Sequence, residues 1–365
     1  MKRNTGFKVA LYDPYLDTLG GGEKHILSII QVLDELDYEI NIFWDENISQ
    51  KIENKFAIHY INKLKFLPNI FKTNKNIVEK IYFLKKYDHF FYVTDGSYFF
   101  SSAKKNFVFC MVPDKKLYKM SILNQLKLWN YSFISNSLFT GHWLGKWGIK
   151  SKVLLPYVDD KYLNLDMERL SKEKIILSVG RFFPHLHSKQ HSLLIDWFLN
   201  LQKNNREFES YKLIIAGGLK TEDVPYFEKL KKRVKNHKSI SLIPNLPFPD
   251  LLDLYKRSAL YVHATGYEVN EDVHPELVEH LGITPLEAMS AGAITFCYKA
   301  GGPKELIKDG ENGYLFSSFE ELTAKIKKVT IDIHKQKQVI TVAHSFVKKY
   351  FSYSVFKDQV KKIIL

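Results

Sequence analysis

Short apolar runs alternate with amphipathic helical stretches along the chain, and this alternation restricts the fold more than any other feature. In the first half, residues 7–13, 39–44, 90–94, 106–112 and 133–137 read as strands. Residues 22–36 read as a helix with Ile26, Ile29, Ile30 and Leu33 on one face. In the second half, strands are expected at 174–179, 211–216, 240–243, 259–263 and 293–298, and helices at 189–201, 226–236, 249–257, 285–291 and 304–308. Such alternation specifies parallel sheets with helices on both faces, the doubly wound α/β class. The pattern restarts after a polar stretch at 159–174, and 365 residues suit two domains. The expected division is 1–165 and 166–350, followed by a helical tail broken near Ser352.

Composition narrows the setting. No apolar run approaches the ~18 residues of a membrane-spanning helix, no signal peptide is visible, and a cytoplasmic setting is expected. Cys110 and Cys297 lie far apart and have no zinc spacing. The net charge of +13 is concentrated: residues 51–150 hold 17 lysines, no arginine and five acids. Aromatic residues are interleaved with the lysines. Lysine without arginine argues against a nucleic-acid reader, which favours guanidinium groups. An anionic membrane surface and a merely solvated lysine face both stay open.

Residues 279–292 carry the densest chemical signal. Glu279 and Glu287 flank a loop that runs into a helix, with Thr284 expected as N-cap, Pro285 at the first helical position and Gly292 as the stop. A helix N-terminus attracts phosphate. A phosphate site between two carboxylates suits a ligand with both phosphate and hydroxyl groups, such as a sugar nucleotide. Thr284 and Glu287 also fit a capping box. Glu279 has no such role, so its replacement by Gln is expected to leave folding intact.

Other loops fit the same picture. Gly20-Gly21-Gly22-Glu23 follows the first strand and opens a helix, which permits close approach of a ligand. Gly180-Arg181 follows a strand, with Lys189 shortly after, and the two cations could neutralise a diphosphate. There is no Asp-x-Asp triplet to hold a metal for that purpose, and no metal or cofactor is expected. His185, His187 and His191 crowd one loop but lack nearby carboxylate or thiol ligands. His263 ends a strand and could wall a sugar pocket; His274 and His280 read as core or surface residues. Gly301-Gly302-Pro303 offers another possible anion contact, and 309–313 reads as a turn.

Together these motifs resemble the retaining glycosyltransferases of the GT-B fold, glycosyltransferase family 4. The resemblance runs through most of the second domain: Gly180-Arg181 with Lys189, Ala-Gly-Gly at 216–218, Glu279 to Glu287, Ala-Gly-Gly-Pro-Lys-Glu at 300–305 and the 309–315 stretch. It is weaker in the first, at 20–23 and around Ser135 to Thr140. It implies two Rossmann-like domains facing across a cleft, with a last helix, about 351–365, crossing back to the first.

By position it implies that Arg181 and Lys189 bind the donor diphosphate, Glu287 the ribose hydroxyls, and Glu279 the transferred sugar. The backbone of Gly282, Ile283 and Thr284 would contact sugar and phosphate, Gly21 and Gly22 would close over the phosphates, and Pro244 and Asn245 would meet the base. Many relatives carry a sugar-facing histidine after the fifth strand. Residues 107–114 have none. Asp95, Asp114 and Glu23 are the candidates on the acceptor side.

The implied activity is metal-independent transfer of a sugar, with retention, from GDP-mannose or a UDP-sugar to a hydroxyl of a glycan or lipid-linked acceptor. The enzyme would sit in the cytoplasm or on the cytoplasmic face of a membrane. A sugar-nucleotide epimerase or hydrolase, a phosphorylase and a degenerate glycan-binding subunit are the rival readings; no motif for a pyridoxal phosphate lysine supports the phosphorylase.

Overall fold

The computed structural model describes residues 6–56, 58–72, 76–184 and 188–365. The chain forms two compact units, Met1–Pro156 with Phe356–Leu365, and Tyr157–Val355. The second unit begins earlier than the polar stretch suggests, because that stretch is itself built in: residues Asp160–Leu163 form a short helix that buries Tyr162 and Leu163.

Unit 1 holds a seven-stranded sheet. Its strands are β1 (Lys8–Tyr12), β2 (Glu39–Phe43), β3 (Lys65–Leu67), β4 (His89–Val93), β5 (Lys105–Cys110), β6 (Tyr131–Ser135) and β7 (Ser151–Val153). The spatial order is β3-β2-β1-β4-β5-β6-β7 and all neighbours are parallel. Val9 pairs with Ile40 on one side and His89 on the other. The middle strands β1, β4 and β5 are buried beyond their first residue, β4 at every position, as expected of a parallel sheet covered on both faces.

Unit 2 holds a six-stranded parallel sheet: β8 (Glu173–Val179), β9 (Lys212–Gly217), β10 (Ile240–Pro244), β11 (Ser258–His263), β12 (Ile294–Tyr298) and β13 (Tyr314–Phe316), in the order β10-β9-β8-β11-β12-β13. The interior strands lie close to the residues expected from the sequence. The three strands missed there, β3, β7 and β13, are edge strands of three residues each. An edge strand that short carries no apolar run long enough to register.

Both sheets reverse their winding once. In unit 1 the order turns between β1 and β4, in unit 2 between β8 and β11. Open α/β sheets bind ligands outside the carboxyl ends of the strands at such a reversal.

The helix Ile333–Phe351 stops at Ser352, where the backbone turns extended, and Tyr353–Ile364 follows. Phe356, Val360 and Ile364 of this last helix are buried. Phe356 packs against His25, Gln359 accepts the Leu155 N–H, and Lys357 pairs with Glu35 at 2.6 Å. The chain thus ends in unit 1. Phe356→Ala should destabilise the protein by about 3–5 kcal/mol, the usual cost of removing a buried ring. Urea unfolding followed by circular dichroism would measure the loss; a change below about 1 kcal/mol would mean the helix contributes little.

Candidate functional site

The reversal in unit 2 gathers the charged groups. β8 ends at Val179 and leads into Gly180-Arg181. β11 ends at His263, and the loop after it carries Glu279. Lys189 Nζ lies 2.6 Å from Glu279 Oε2, and His263 Nε2 lies 2.8 Å from the same oxygen.

Local backbone choices bring these groups together. Gln190, in the left-handed region at φ 56°, caps the helix His191–Asn204. Lys189 therefore lies outside that helix, where the sequence placed it inside. Its stem crosses directly over Gly180: a Cβ there would stand 2.5 Å from Lys189 Cγ. Glycine at 180 is the residue that lets the ammonium pass over the strand end to Glu279.

Burial alone raises the Glu279 carboxyl, but the Lys189 charge and the His263 hydrogen bond outweigh it and hold it well below the usual carboxylate range. Burial lowers His263, and the carboxylate restores only part of that. His263 is therefore neutral near pH 7. A carboxylate can only accept, so Nε2 carries the proton and donates to Glu279. His263 Nδ1 lies 3.4 Å from the Tyr261 hydroxyl, which donates to Thr284 Oγ1 at 2.8 Å. Lys189, Glu279 and His263 form one hydrogen-bonded cluster, and the Tyr261–Thr284 pair lies beside it. Glu279 is thus a partner in a largely buried ion pair, so the expectation that Glu279→Gln leaves folding intact is corrected: the exchange strands Lys189.

The helix after Glu279 runs Ile283–Ser290 and its N-cap is Gly282, at φ 107°. The left-handed glycine starts the helix earlier than expected. Thr284 is therefore a first-turn residue and Pro285 follows it, so the capping box with Glu287 does not form. Glu287, largely buried, accepts the Tyr255 hydroxyl at 3.1 Å. Gly292, at φ 73°, follows the end of the helix as expected. The Gly301–Pro303 turn is tied to the same loop, for Gly302 N–H donates to the Glu279 carbonyl and Gly301 N–H to Glu271 Oε2.

Arg181 stacks its guanidinium over Phe183, 5.2 Å from the ring centre. Pro244 ends β10 opposite Gly217. Asn245, at φ 54°, ties its amide to the Leu219 backbone through both oxygen and nitrogen, so its side chain holds two loop ends together. His185 and His187 lie outside the described residues. His191 is a core residue, packed on Phe182 and bonded to Tyr226. His274 is exposed beside Glu276, and His280 is mostly buried against the Glu276 carbonyl. Among the described residues no cluster of three or more His, Cys, Asp or Glu side chains could hold a metal ion.

The reversal in unit 1 gathers acids. Gly21 and Gly22 open the helix Gly21–Glu35, with Gly20 as N-cap and Glu23 accepting the Gly20 N–H at 2.6 Å. Met111 packs over Gly22. Glu23 is nearly buried and caps its own helix, a structural task for an acceptor candidate. Asp95 accepts the Tyr92 hydroxyl and the Ser97 N–H. Asp114 accepts the Lys116 N–H and caps the turn Lys115–Leu117. The sequence reading missed Asp13, directly after β1. It is buried, its Oδ2 has no hydrogen-bond partner, and burial together with the nearby Glu23 pushes its carboxyl well above the usual range. An acid closing the first strand just before a glycine-rich helix start was the available signal.

Residues 166–345 match the family model of glycosyl transferases group 1. The human GDP-Man:Man(3)GlcNAc(2)-PP-Dol α-1,2-mannosyltransferase is 24% identical over 60% of this chain and 44% of its own length. The Dictyostelium discoideum α-1,3/1,6-mannosyltransferase is 26% identical over 54% and 46%. The chain spans less than half the length of these curated relatives. Among solved structures, Anabaena HepE in complex with UDP and glucose superposes with a TM-score of 0.71 at 16% identity, covering 98% of both chains. WaaG, a glycosyltransferase of lipopolysaccharide biosynthesis, gives 0.63 at 14% identity over 98% of this chain and 99% of its own. The fold is that of the GT-B glycosyltransferases, and residues 166–345 are similar to the glycosyl transferases of group 1.

Proposed function

We propose that this protein is a metal-independent retaining glycosyltransferase of family 4. It transfers a sugar from a nucleoside diphosphate sugar to a hydroxyl of a glycan or lipid-linked acceptor, forming an α-linkage. The observation that carries this reading is the Lys189–Glu279–His263 cluster at the carboxyl ends of β8 and β11, beside the N-terminus of Ile283–Ser290. It combines a cation and free helix-start N–H groups for a diphosphate with an ionised carboxylate for a sugar.

The roles follow from the chemistry. Arg181 and Lys189 neutralise the leaving diphosphate, the largest charge to develop. Glu279 faces the sugar and stabilises the positive charge of an oxocarbenium-like transition state. His263 fixes the carboxylate's orientation without adding charge. Glu287 takes the ribose hydroxyls, held in place by Tyr255. The backbone of Gly282, Ile283 and Thr284 contacts sugar and phosphate, and that of Pro244 and Asn245 the base. Asp95, at the reversal in unit 1, offers a hydrogen bond to an acceptor hydroxyl. The named mannosyltransferases favour GDP-mannose and a lipid-linked acceptor; HepE, seen with UDP, favours a UDP-sugar.

A thermal-shift screen against GDP, UDP, dTDP and ADP should single out one diphosphate, since a ligand at 100 times its Kd stabilises by about 2.7 kcal/mol. Transfer from the matching sugar nucleotide should persist in excess EDTA; loss restored by magnesium or manganese would refute metal independence.

Arg181→Ala or Lys189→Ala should each lower kcat/KM about tenfold to a hundredfold, because a hydrogen bond to a charged group is worth roughly 1.5–3 kcal/mol. If both variants bind and turn over donor normally, the diphosphate sits elsewhere.

Glu279→Gln should lower kcat more than it raises the donor KM, since charge stabilisation there is realised in the transition state. It should also lower the melting temperature at pH 7. The folded carboxyl sits below its unfolded value, so the stability it contributes is complete above about pH 4.3 and is lost as pH falls through the folded pKa. The gap in melting temperature between the two proteins should therefore close on acidification. Glu287→Gln should instead raise the donor KM. Wild-type turnover by Glu279→Gln would remove the mechanistic core of this reading.

A further inference from the structure

In unit 1, residues 115–130 pack with their apolar stripe outward. Ile122, Leu126 and Trp129 recur at helical spacing across the helix Ile122–Lys127 and its end, and they are 80%, 57% and 78% exposed. No residue of that helix is buried. The segment is held instead by its flanks, Tyr118 and Leu128, which sit in the core beside the sheet. Its polar side chains are turned back on the chain: Asn124 donates to the Lys119 carbonyl and Gln125 to the Met120 carbonyl. A soluble surface helix has the opposite arrangement.

A second stripe lies close by. Val78 and Tyr82 of the helix Ile77–Leu84 are 73% and 77% exposed. Both helices are tied to one strap, residues 99–102. Ser102 Oγ donates to the Ile81 carbonyl, Asn130 to the Ser101 carbonyl, and the Tyr131 hydroxyl to the Phe99 carbonyl. Leu84, Tyr118 and Leu128 enter the same core cluster, so both helices cover one face of the sheet.

The surrounding charge is nearly all positive. Lys115, Lys116, Lys119 and Lys127 flank the first stripe with no acid between residues 115 and 130. Asp114 caps the start of that segment, and Glu79 lies on the second helix.

We propose that this face inserts shallowly into an anionic bilayer, with Ile122, Leu126 and Trp129 in the headgroup–acyl boundary and the lysines on the phosphates. Both halves of the patch need a partner, and an anionic lipid surface satisfies both. A nucleic acid would leave the Ile, Leu and Trp stripe in water. Among the described residues no helix is long and apolar enough to cross a membrane, so the attachment is peripheral. The inference is independent of the donor-site reading: it uses none of those residues.

The test is co-sedimentation with phosphatidylcholine vesicles, with and without phosphatidylglycerol. Binding should require the anionic lipid and fall as salt shortens the Debye length. The combined Ile122→Ser, Leu126→Ser and Trp129→Ser variant should bind about tenfold or more weakly. It should melt as the wild type does, because these side chains are exposed, and its nucleoside diphosphate binding should be unchanged. Trp129→Phe should still bind but lose a blue shift in tryptophan emission. No binding, equal binding to neutral vesicles, or full binding by the triple variant would overturn the proposal. So would a dimer in size-exclusion chromatography that the triple variant abolishes, since that would make the face an interface between copies.

Discussion

The ion pair between Lys189 and Glu279 is the interaction on which the candidate site depends. It joins groups far apart in sequence, one just after β8 and one on the loop after β11, at the place where the sheet reverses its winding. Two charges that far out of water need mutual pairing and further hydrogen bonds, or the desolvation cost exceeds the attraction. His263 supplies the further bond to Glu279 and stays neutral in doing so. The cluster therefore carries one positive and one negative charge and a hydrogen-bonded ring. Several sequence features become necessary at once. Glycine at 180 clears the path of the lysine stem, and the left-handed Gln190 keeps Lys189 out of the helix that follows.

The same network explains why the helix start at 283 is a good place for an anion. Its N-cap is a glycine, which offers no side chain to satisfy the first N–H groups. Thr284 has the chemistry to cap, yet its hydroxyl oxygen accepts from Tyr261, and Glu287 accepts from Tyr255. Side chains that would otherwise close the helix end are drawn toward β11 and the helix Phe248–Arg257 by two buried tyrosines. The local capping signal at Thr284 fails because Gly282 starts the helix two residues earlier, and the tertiary hydrogen bonds then fix both side chains away from the helix end.

This is also why the sequence was legible to differing depths. The interior strands could be read because a strand buried on both faces is a run of apolar residues; Lys189 and Glu279 could be picked out as charged residues following strands, but not as partners of one another. The edge strands β3, β7 and β13 could not, since three residues leave no pattern. Thr284 was misjudged because the left-handed Gly282 starts the helix before it, a backbone choice that Thr-Pro spacing does not reveal. Glu279 was taken as thermodynamically idle because no sequence rule brings Lys189 to it. Asp13 escaped notice for the same reason: its burial beside Glu23 is a property of the packed unit.

The two units apply one topology to opposite electrostatics. Both wind outward from a central strand and reverse once, and both place a glycine-containing turn and titratable groups at the reversal. In unit 2 those groups include Arg181 and Lys189, suited to a diphosphate. In unit 1 they are Asp13, Glu23 and Asp95, although unit 1 carries the chain's excess of lysine. Its lysines lie instead on the periphery, many around the face formed by the helices Ile77–Leu84 and Ile122–Lys127. The acids of unit 1 thus stand apart from most of its lysines. On that face the lysines stand beside exposed apolar side chains, a combination suited to an anionic lipid surface rather than to a small phosphate ligand.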